Sequence, residues 1–408
     1  MRKLYLSVIG ATALLAVTPL AAQENVTVRF LNFTAGADHA EDLQTIIDAF
    51  QAENPGITIQ VDSAPFGDYF TLLQSDIISG DAPDVFEVNF ENFITYAANG
   101  TMLDLGGLIS EDAPYYPRAL EAFQYEGQQF ALPESFSTVL MYYNEDLFDQ
   151  AGLEYPTDEW TWDDAVTAAS AIDALGDDIY GLYSPIQYWE FYKKAAQNGE
   201  CFFLNEDRTE STINSPACVE TLQLMVDWLQ DGVIPSQAQL SGISDSDLFS
   251  QGKIGIWITG IWMFSALRES EVNWNVQLEP MINQHAHHFF SNGVAVSSTT
   301  DVQDAAVRWV EFLTTSQVAA QVRIDNAWEL PALDEPAYFE SFLSQNPPEN
   351  TQAVFQALES AVAPPTIERQ VEMQDGVDRL ISQVVDGELT AQEALDQAKA
   401  LIDSLLTS

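Results

Sequence analysis

Residues Glu126–Ala165 read EGQQFALPESFSTVLMYYNEDLFDQAGLEYPTDEWTWDDA, and the order of pieces in this stretch places the rest of the chain. Phe130-Ala131-Leu132 is a short apolar run that Pro133 should end, because proline cannot donate to a strand ladder. Thr138 to Tyr143 is a β-branched and aromatic run with the length of a buried strand. Asn144 offers a side-chain acceptor at the start of a short helix, Glu145 to Ala151. Leu147, Phe148 and Ala151 share one face of it and Gly152 stops it. Thr161-Trp162-Asp163-Asp164 opens a further helix, a hydroxyl cap followed by acids in the first turn.

Outward from this stretch, a chain of 408 residues is too long for one ordinary core, so two lobes are expected. Residues 1–22 have the form of a secretory signal. Arg2 and Lys3 supply the positive end, Leu4 to Val17 the apolar centre and Leu20-Ala21-Ala22 the small-residue cleavage site. That centre is too short to remain as a bilayer anchor, and no cysteine adjoins it to carry a lipid. The expectation is export to a periplasm, with a mature chain from about Gln23. Without Arg2 and Lys3 the chain keeps 12 bases against 62 acids, a net charge of −50. Such a balance argues against nucleic acid, which needs clustered Lys and Arg, and against an anionic membrane surface. It suits solubility in a salty medium, with cation binding as the alternative. The only cysteines, Cys201 and Cys218, would meet an oxidising compartment. A structural disulfide is the expected outcome, contributing about 3 kcal/mol through loop entropy; free or metal-bound thiols are the alternatives.

Toward the N-terminus, Asn25–Asn32 alternates as a strand, and Asp38–Glu53 carries Leu43, Ile46, Ile47 and Phe50 on one helical face. Ile57–Val61, Tyr69–Ile78 and Asp84–Val88 follow as strand, helix and strand, the signature of a doubly wound α/β lobe. Toward the C-terminus, Ser215-Pro216 starts a helix that Gly232 ends. Phe249–Trp262, Asn275–Pro280 and Phe289–Ser298 carry further strands. Thr390 with Glu393 forms a capping box ahead of the stripe Ala394, Leu395, Ala398, Leu401, Ile402 and Leu405.

The words G-x-x-x-A-L-P, Y-Y-N-x-D-L-F-x-x-A-G-L and T-W-D-D, in this order, resemble the extracellular solute-binding proteins of ABC importers, in the branch that includes maltose-binding protein. The stretches A-F-Q-x-E-N-P-G-I-T-I-Q-V, G-D-A-P-D-V-F and Phe249–Trp262, with the ending Asp386–Leu395, are similar to the same family. The resemblance implies two discontinuous doubly wound lobes joined by a hinge (the type II periplasmic binding fold), with crossings near Ala131, His285 and Leu330. Residues 23–131 and 289–330 would form the N-terminal lobe, and 132–288 with 331–408 the C-terminal one. It further implies a mono- or oligosaccharide trapped by lobe closure and handed to an ABC importer permease, by a monomer without cofactor. A polyamine or other cationic solute is the alternative that the charge favours. A secreted glycan-active enzyme is the rival class, although the chain lacks G-x-S-x-G, P-loop, H-E-x-x-H and dinucleotide signatures.

Sugars need aromatic faces against their C–H surface and planar polar groups for their hydroxyls, placed at the carboxyl ends of strands. That rule selects Phe33, Thr34 and Asp38 after the first strand, Phe66 and Asp68 after the second, and Asn89 and Glu91 after the third. Glu91 stands where the family carries an acidic sugar ligand. Glu134 and Phe136 follow at the first crossing. In the second lobe, Gln187, Tyr188 and Trp189 correspond to the family's aromatic-acid platform, and Gly260 precedes the stacking Trp262. Asn292 follows the second crossing, and Trp328 with Glu329 marks the third. Arg369 is a cation in a base-poor chain, suited to a uronate or sulfonate. His285-Ala286-His287-His288 holds three of the four histidines. They are read as a polar loop that partly lines the cleft, with His287 the candidate ligand donor and a metal the alternative. Trp160, Trp162, Trp228, Trp274 and Trp309 read as packing residues.

Overall fold

The computed structural model describes residues 25–407 apart from 37, 111–112 and 241. The expected signal, residues 1–22, lies outside the described residues. Two sheets organise the chain. In the first, strands Val26–Asn32, Ile57–Ser63 and Val85–Asn89 run parallel, joined by the helices Ala40–Glu53 and Phe66–Ser79. Phe290–Val296 pairs antiparallel with Val85–Asn89 and with Ala131–Ser137, and Leu330–Pro331 closes the edge. In the second sheet, Val139–Asn144 lies antiparallel between Trp274–Gln277 and Ile254–Gly260, and Tyr180–Tyr183 runs parallel on the far side of the latter.

The expected apolar stripes set each layer. Leu43, Ile46, Ile47 and Phe50 are buried with Trp309 against the first sheet. Ser215 caps Pro216–Gln230, accepting a hydrogen bond from Cys218 N. The Thr390 capping box starts Ala391–Leu406, which buries Ala394, Leu395, Ala398, Ile402 and Leu405 in the second lobe. Trp162, Trp228, Trp274 and Trp309 are core residues. Cys201 and Cys218 are disulfide-bonded, tying the segment after the helix Tyr188–Asn198 to the helix that Ser215 starts.

One local expectation fails at Pro133. The strand Ala131–Ser137 runs through it, because Pro133 sits at a β-bulge. Ser135 faces Asn292 and Pro133 faces Gly293, so Glu134 is the extra residue. A bulge interrupts the ladder at this point, and the amide that proline lacks is not missed. The chain therefore changes sheet at Thr138, between Ala131–Ser137 and Val139–Asn144, instead of near Ala131. Thr138 also joins two crossings, since its Oγ1 donates to His288 O at 2.7 Å.

The lobes touch at a rim. The helix Phe90–Ala98 of the first meets the helix Gln370–Val385 of the second. Thr95 Oγ1 donates to Glu368 O at 3.0 Å, and Tyr125 OH to the Glu368 carboxylate at 3.0 Å. Among the described residues no helix is long and apolar enough to cross a membrane.

Candidate ligand-binding cleft

The strand-end rule collects two different kinds of residue. One kind builds the hinge. The Glu87 carboxylate, in the middle of a buried strand, accepts from Phe33 N at 2.7 Å, Thr34 N at 2.9 Å, Thr34 Oγ1 at 2.7 Å and from the Asn32 amide. Thr34 is thus held as part of the loop scaffold, and its carbonyl accepts from Trp328 Nε1 at 3.0 Å. Trp328 is 2% exposed. His39 lies flat on the ring at 5.0 Å and the Arg323 guanidinium lies 4.0 Å from its centroid. Arg323 is in turn ion-paired with Glu134, the bulge residue, and both are buried. Glu329 accepts from Ser135 Oγ and, at 3.1 Å, from Asn292 Nδ2. Burial raises its carboxyl above the usual range, against the lowering effect of Ser135, Arg323 and Asn292.

Thr34, Glu134, Asn292, Trp328 and Glu329 thus all make internal contacts at the crossings, although Glu134 Oε2 is buried without a partner. Phe136 is likewise core, buried beside Phe289 at 6.4 Å. Asn89 caps the helix Phe90–Ala98, accepting from Asn92 N at 3.2 Å and Asn92 Nδ2 at 2.8 Å. His287 is buried, its Nδ1 2.9 Å from Ser360 Oγ, and burial beside Lys193 holds its imidazole down at about 3. His285 lies 5.8 Å from His287, ring to ring. Among the described residues no group of three or more His, Cys, Asp or Glu side chains is arranged to hold a metal. Tyr188 is buried, its hydroxyl donating to Pro365 O and accepting from Gln370. Arg369 is ion-paired with Glu372, Nε to Oε1 2.7 Å. Asp38, Asp68 and Gln187 are exposed.

The second kind surrounds an opening between the lobes. A cavity of about 530 Å³ is lined from the first lobe by Phe66, Phe70, Asn92, Thr95 and Tyr96, and from the second by Trp189, Val371, Gln374 and Asp375. Phe33, Phe66 and Phe70 form an edge-to-face row on the first-lobe side, with Phe33 and Phe66 5.4 Å apart and Phe66 and Phe70 5.8 Å apart. On the second-lobe side Trp189 and Trp262 each stand 5.9 Å from Phe290. Phe66 is 48% exposed and Trp262 40%, whereas most of the large rings are buried. Gly260 makes the Trp262 pose possible: a Cβ there would come within 2.0 Å of the indole.

Glu91 stands in the first turn of the helix Phe90–Ala98 and is 1% exposed. Among the described residues neither of its carboxyl oxygens has a hydrogen-bond partner from another side chain. Burial pushes the group up to about 8. Asn92, Thr95 and Tyr96 of the same helix line the interlobe cavity, and the helix meets Gln370–Val385 of the second lobe, so Glu91 stands on an element where the lobes meet. Gln374 Oε1 is also buried and unpartnered. A buried polar group without a partner costs about 1–3 kcal/mol, and a molecule held between the lobes would remove that cost.

Sequence reasoning did not select Glu87, Phe290, Tyr192 or Gln374. Glu87 had a signal, a charge inside the apolar run Val85-Phe86-Glu87-Val88. Phe290 had a weaker one, as the second ring of Phe289-Phe290 at a crossing. Tyr192 and Gln374 become visible only when helices distant in sequence are packed together.

Two α/β lobes joined by three crossings, with an aromatic cleft between them, define a type II periplasmic binding fold. The chain belongs to the family described as bacterial extracellular solute-binding protein, whose pattern matches residues 36–320. It is similar to an ABC substrate-binding protein of Listeria monocytogenes solved with cycloalternan: 38% identity, TM-score 0.90, covering 94% of this chain and 100% of that one. The GacH receptor of Streptomyces glaucescens, solved unliganded and with acarbose, shares the fold at TM-score 0.83 and 20% identity, covering 94% of this chain and 99% of that one. A binding protein of Brucella abortus is 30% identical over 55% of this chain, and the match spans 56% of that relative's length. The maltodextrin-binding protein of Bacillus subtilis is 21% identical, over 92% of this chain and 89% of its own.

Proposed function

We propose that the chain is the solute-binding component of an ABC importer. It captures a mono- or oligosaccharide by closure of its lobes and delivers it, as an exported periplasmic monomer, to a membrane permease. The observation that carries this reading is Glu91, a buried carboxyl without a side-chain partner, on the helix whose Asn92, Thr95 and Tyr96 line the interlobe cavity together with the half-exposed Phe66. Planar acceptors for hydroxyls next to apolar faces for C–H surface are what a sugar ring requires. The cycloalternan in the Listeria structure and the acarbose in the Streptomyces one support the same class of ligand. A polyamine would need several acids converging on the cleft, but Glu134 is paired with Arg323, and Glu190 with Lys193 and Lys194.

Thermal melting of the mature chain against neutral sugars, uronates, sulfonated sugars, polyamines and divalent metals tests the reading. A ligand at about 100 times its dissociation constant adds roughly 2.7 kcal/mol, a shift of a few degrees. A shift with neutral mono- or oligosaccharides is expected. A shift with polyamines or metals alone would overturn the sugar assignment, and turnover of a glycan would move the chain to the enzyme class.

A further inference from the structure

The second lobe buries four charged side chains in one cluster. Lys193 and Lys194 Nζ each lie 2.9 Å from a Glu190 oxygen. Both ammoniums also meet Glu279, the Lys194 contact being 2.6 Å. Such a cluster costs desolvation and is weak evidence of stability in itself. Its position is informative, because it leads to the cleft. Glu190 Oε1 lies 3.3 Å from His288 Nε2, and His288 Nδ1 lies 2.7 Å from Tyr192 Oη. The His288 ring is stacked 4.5 Å from Phe290, the ring that stands between Trp189 and Trp262.

The direction of every proton in this chain of contacts can be worked out. Glu190 faces two ammoniums and is ionised. Burial would raise its carboxyl, but Lys193, Lys194 and His288 hold it well below the usual range. An ionised carboxylate only accepts, so the proton between Glu190 and His288 sits on Nε2. Burial, with Lys193 adding to it, keeps the imidazole down at about 3 against the opposing pull of Glu190, so the ring is neutral. A neutral ring protonated at Nε2 has Nδ1 as an acceptor, and the Tyr192 O–H is the donor that fills it. The Tyr192 oxygen then keeps only lone pairs, in a residue that is 4% exposed.

We propose that Lys193, Lys194, Glu190 and His288 form a positioning relay that fixes the His288 tautomer, with Tyr192 as its donor, and holds the Phe290 ring in the aromatic wall. The inference rests on the sugar-cleft reading and sharpens it.

The test is nitrogen NMR of the mature chain labelled with ¹⁵N-histidine, with His288 assigned through His288→Gln. A neutral His288 protonated at Nε2, with Nδ1 shifted as a hydrogen-bonded acceptor, is the expected spectrum. In Tyr192→Phe the Nδ1 signal should move to that of an unbonded acceptor while the Nε2 proton stays, a change that loss of packing alone does not produce. A ring protonated at Nδ1, or an imidazolium, would overturn the relay. A His288→Gln chain that keeps its affinity for a neutral sugar would overturn the hold on Phe290 that follows from it. The NMR arm needs no ligand, so a chain that binds no sugar would refute the functional reading while leaving the relay to stand or fall on its tautomer.

Discussion

The hinge and the cleft are built from the same residue types at the same kind of position, and they differ in what those residues have left to give. Around the crossings Glu87, Glu134 and Glu329 each meet a donor from the chain itself, with only Glu134 Oε2 among their oxygens buried and unpartnered, and Trp328 packs against His39 and Arg323. Across the opening between the lobes, Glu91 and Gln374 present buried oxygens with no partner, and Phe66 and Trp262 keep open faces. A polar side chain at a strand end thus has two possible fates. Satisfied internally it fixes the geometry of closure; unsatisfied it awaits a ligand.

The largest test of that division is in the hinge. Arg323→Met leaves Glu134 buried without its partner, and breaking a buried pair from one side costs about 3–5 kcal/mol. Urea unfolding should show that loss, since the Met side chain also leaves the Trp328 face. An unchanged midpoint would return Glu134 and Trp328 to the set of ligand candidates.

The next effect is a pH dependence at Glu91. Its carboxyl is raised to about 8 in the folded chain, against about 4.3 in an unfolded one. Between these values the native state holds the proton and the unfolded state does not. The stabilisation is therefore complete at pH below the unfolded value and is lost as pH rises through about 8. At about 1.4 kcal/mol per unit the ceiling is a few kcal/mol, and opening of the lobes will relieve part of it. Glu91→Gln should flatten this slope in melting curves recorded across the range. Parallel curves for both proteins would place Glu91 in contact with solvent and remove the main support for the cleft.

Trp262→Ala comes third. Loss of one stacking face should weaken sugar binding about tenfold to a hundredfold, roughly 1.4–2.7 kcal/mol, measured by calorimetry. Little change in melting is expected of a ring that is 40% exposed. Gly260→Ala should imitate it in weaker form, because the new Cβ would displace the indole that lies over Gly260. A large fall in melting temperature with binding intact would make Trp262 a packing residue.

Local signals in the chain were enough for most elements. Asn144 accepts from Leu147 N and Gly152 takes a left-handed φ of 68°, as a cap and a stop should. Thr161 forms a capping box with Asp164. Pro133 misled because a bulge is a property of two strands, and its partner Gly293 lies far away in sequence. The candidate site was legible in residue type and only half legible in role. Strand-end placement selected Glu91 and Phe66, the family resemblance Trp189 and Trp262, and the crossings Trp328 and Glu134. What separates the two groups is Arg323, a helix residue whose guanidinium reaches both Trp328 and Glu134. No periodicity or motif announces that contact, since it depends on how a helix lies against a hinge.

Arg369 gives the smallest expected effect and the sharpest boundary. It adjoins Glu368, whose carbonyl and carboxylate take hydrogen bonds from Thr95 and Tyr125 of the first lobe, so it stands at the rim where the lobes meet. In a chain with only 14 bases, a rim cation is the group that would select a uronate. The guanidinium is instead ion-paired with Glu372, three residues along on the same helix start, and exposed pairs of this kind contribute little. Arg369→Ala should leave both melting and affinity for neutral sugars unchanged in a thermal-shift titration. If affinity for a glucuronate probe fell in this variant, the cleft would extend beyond Gln374 to the rim, and ligand charge would be read there.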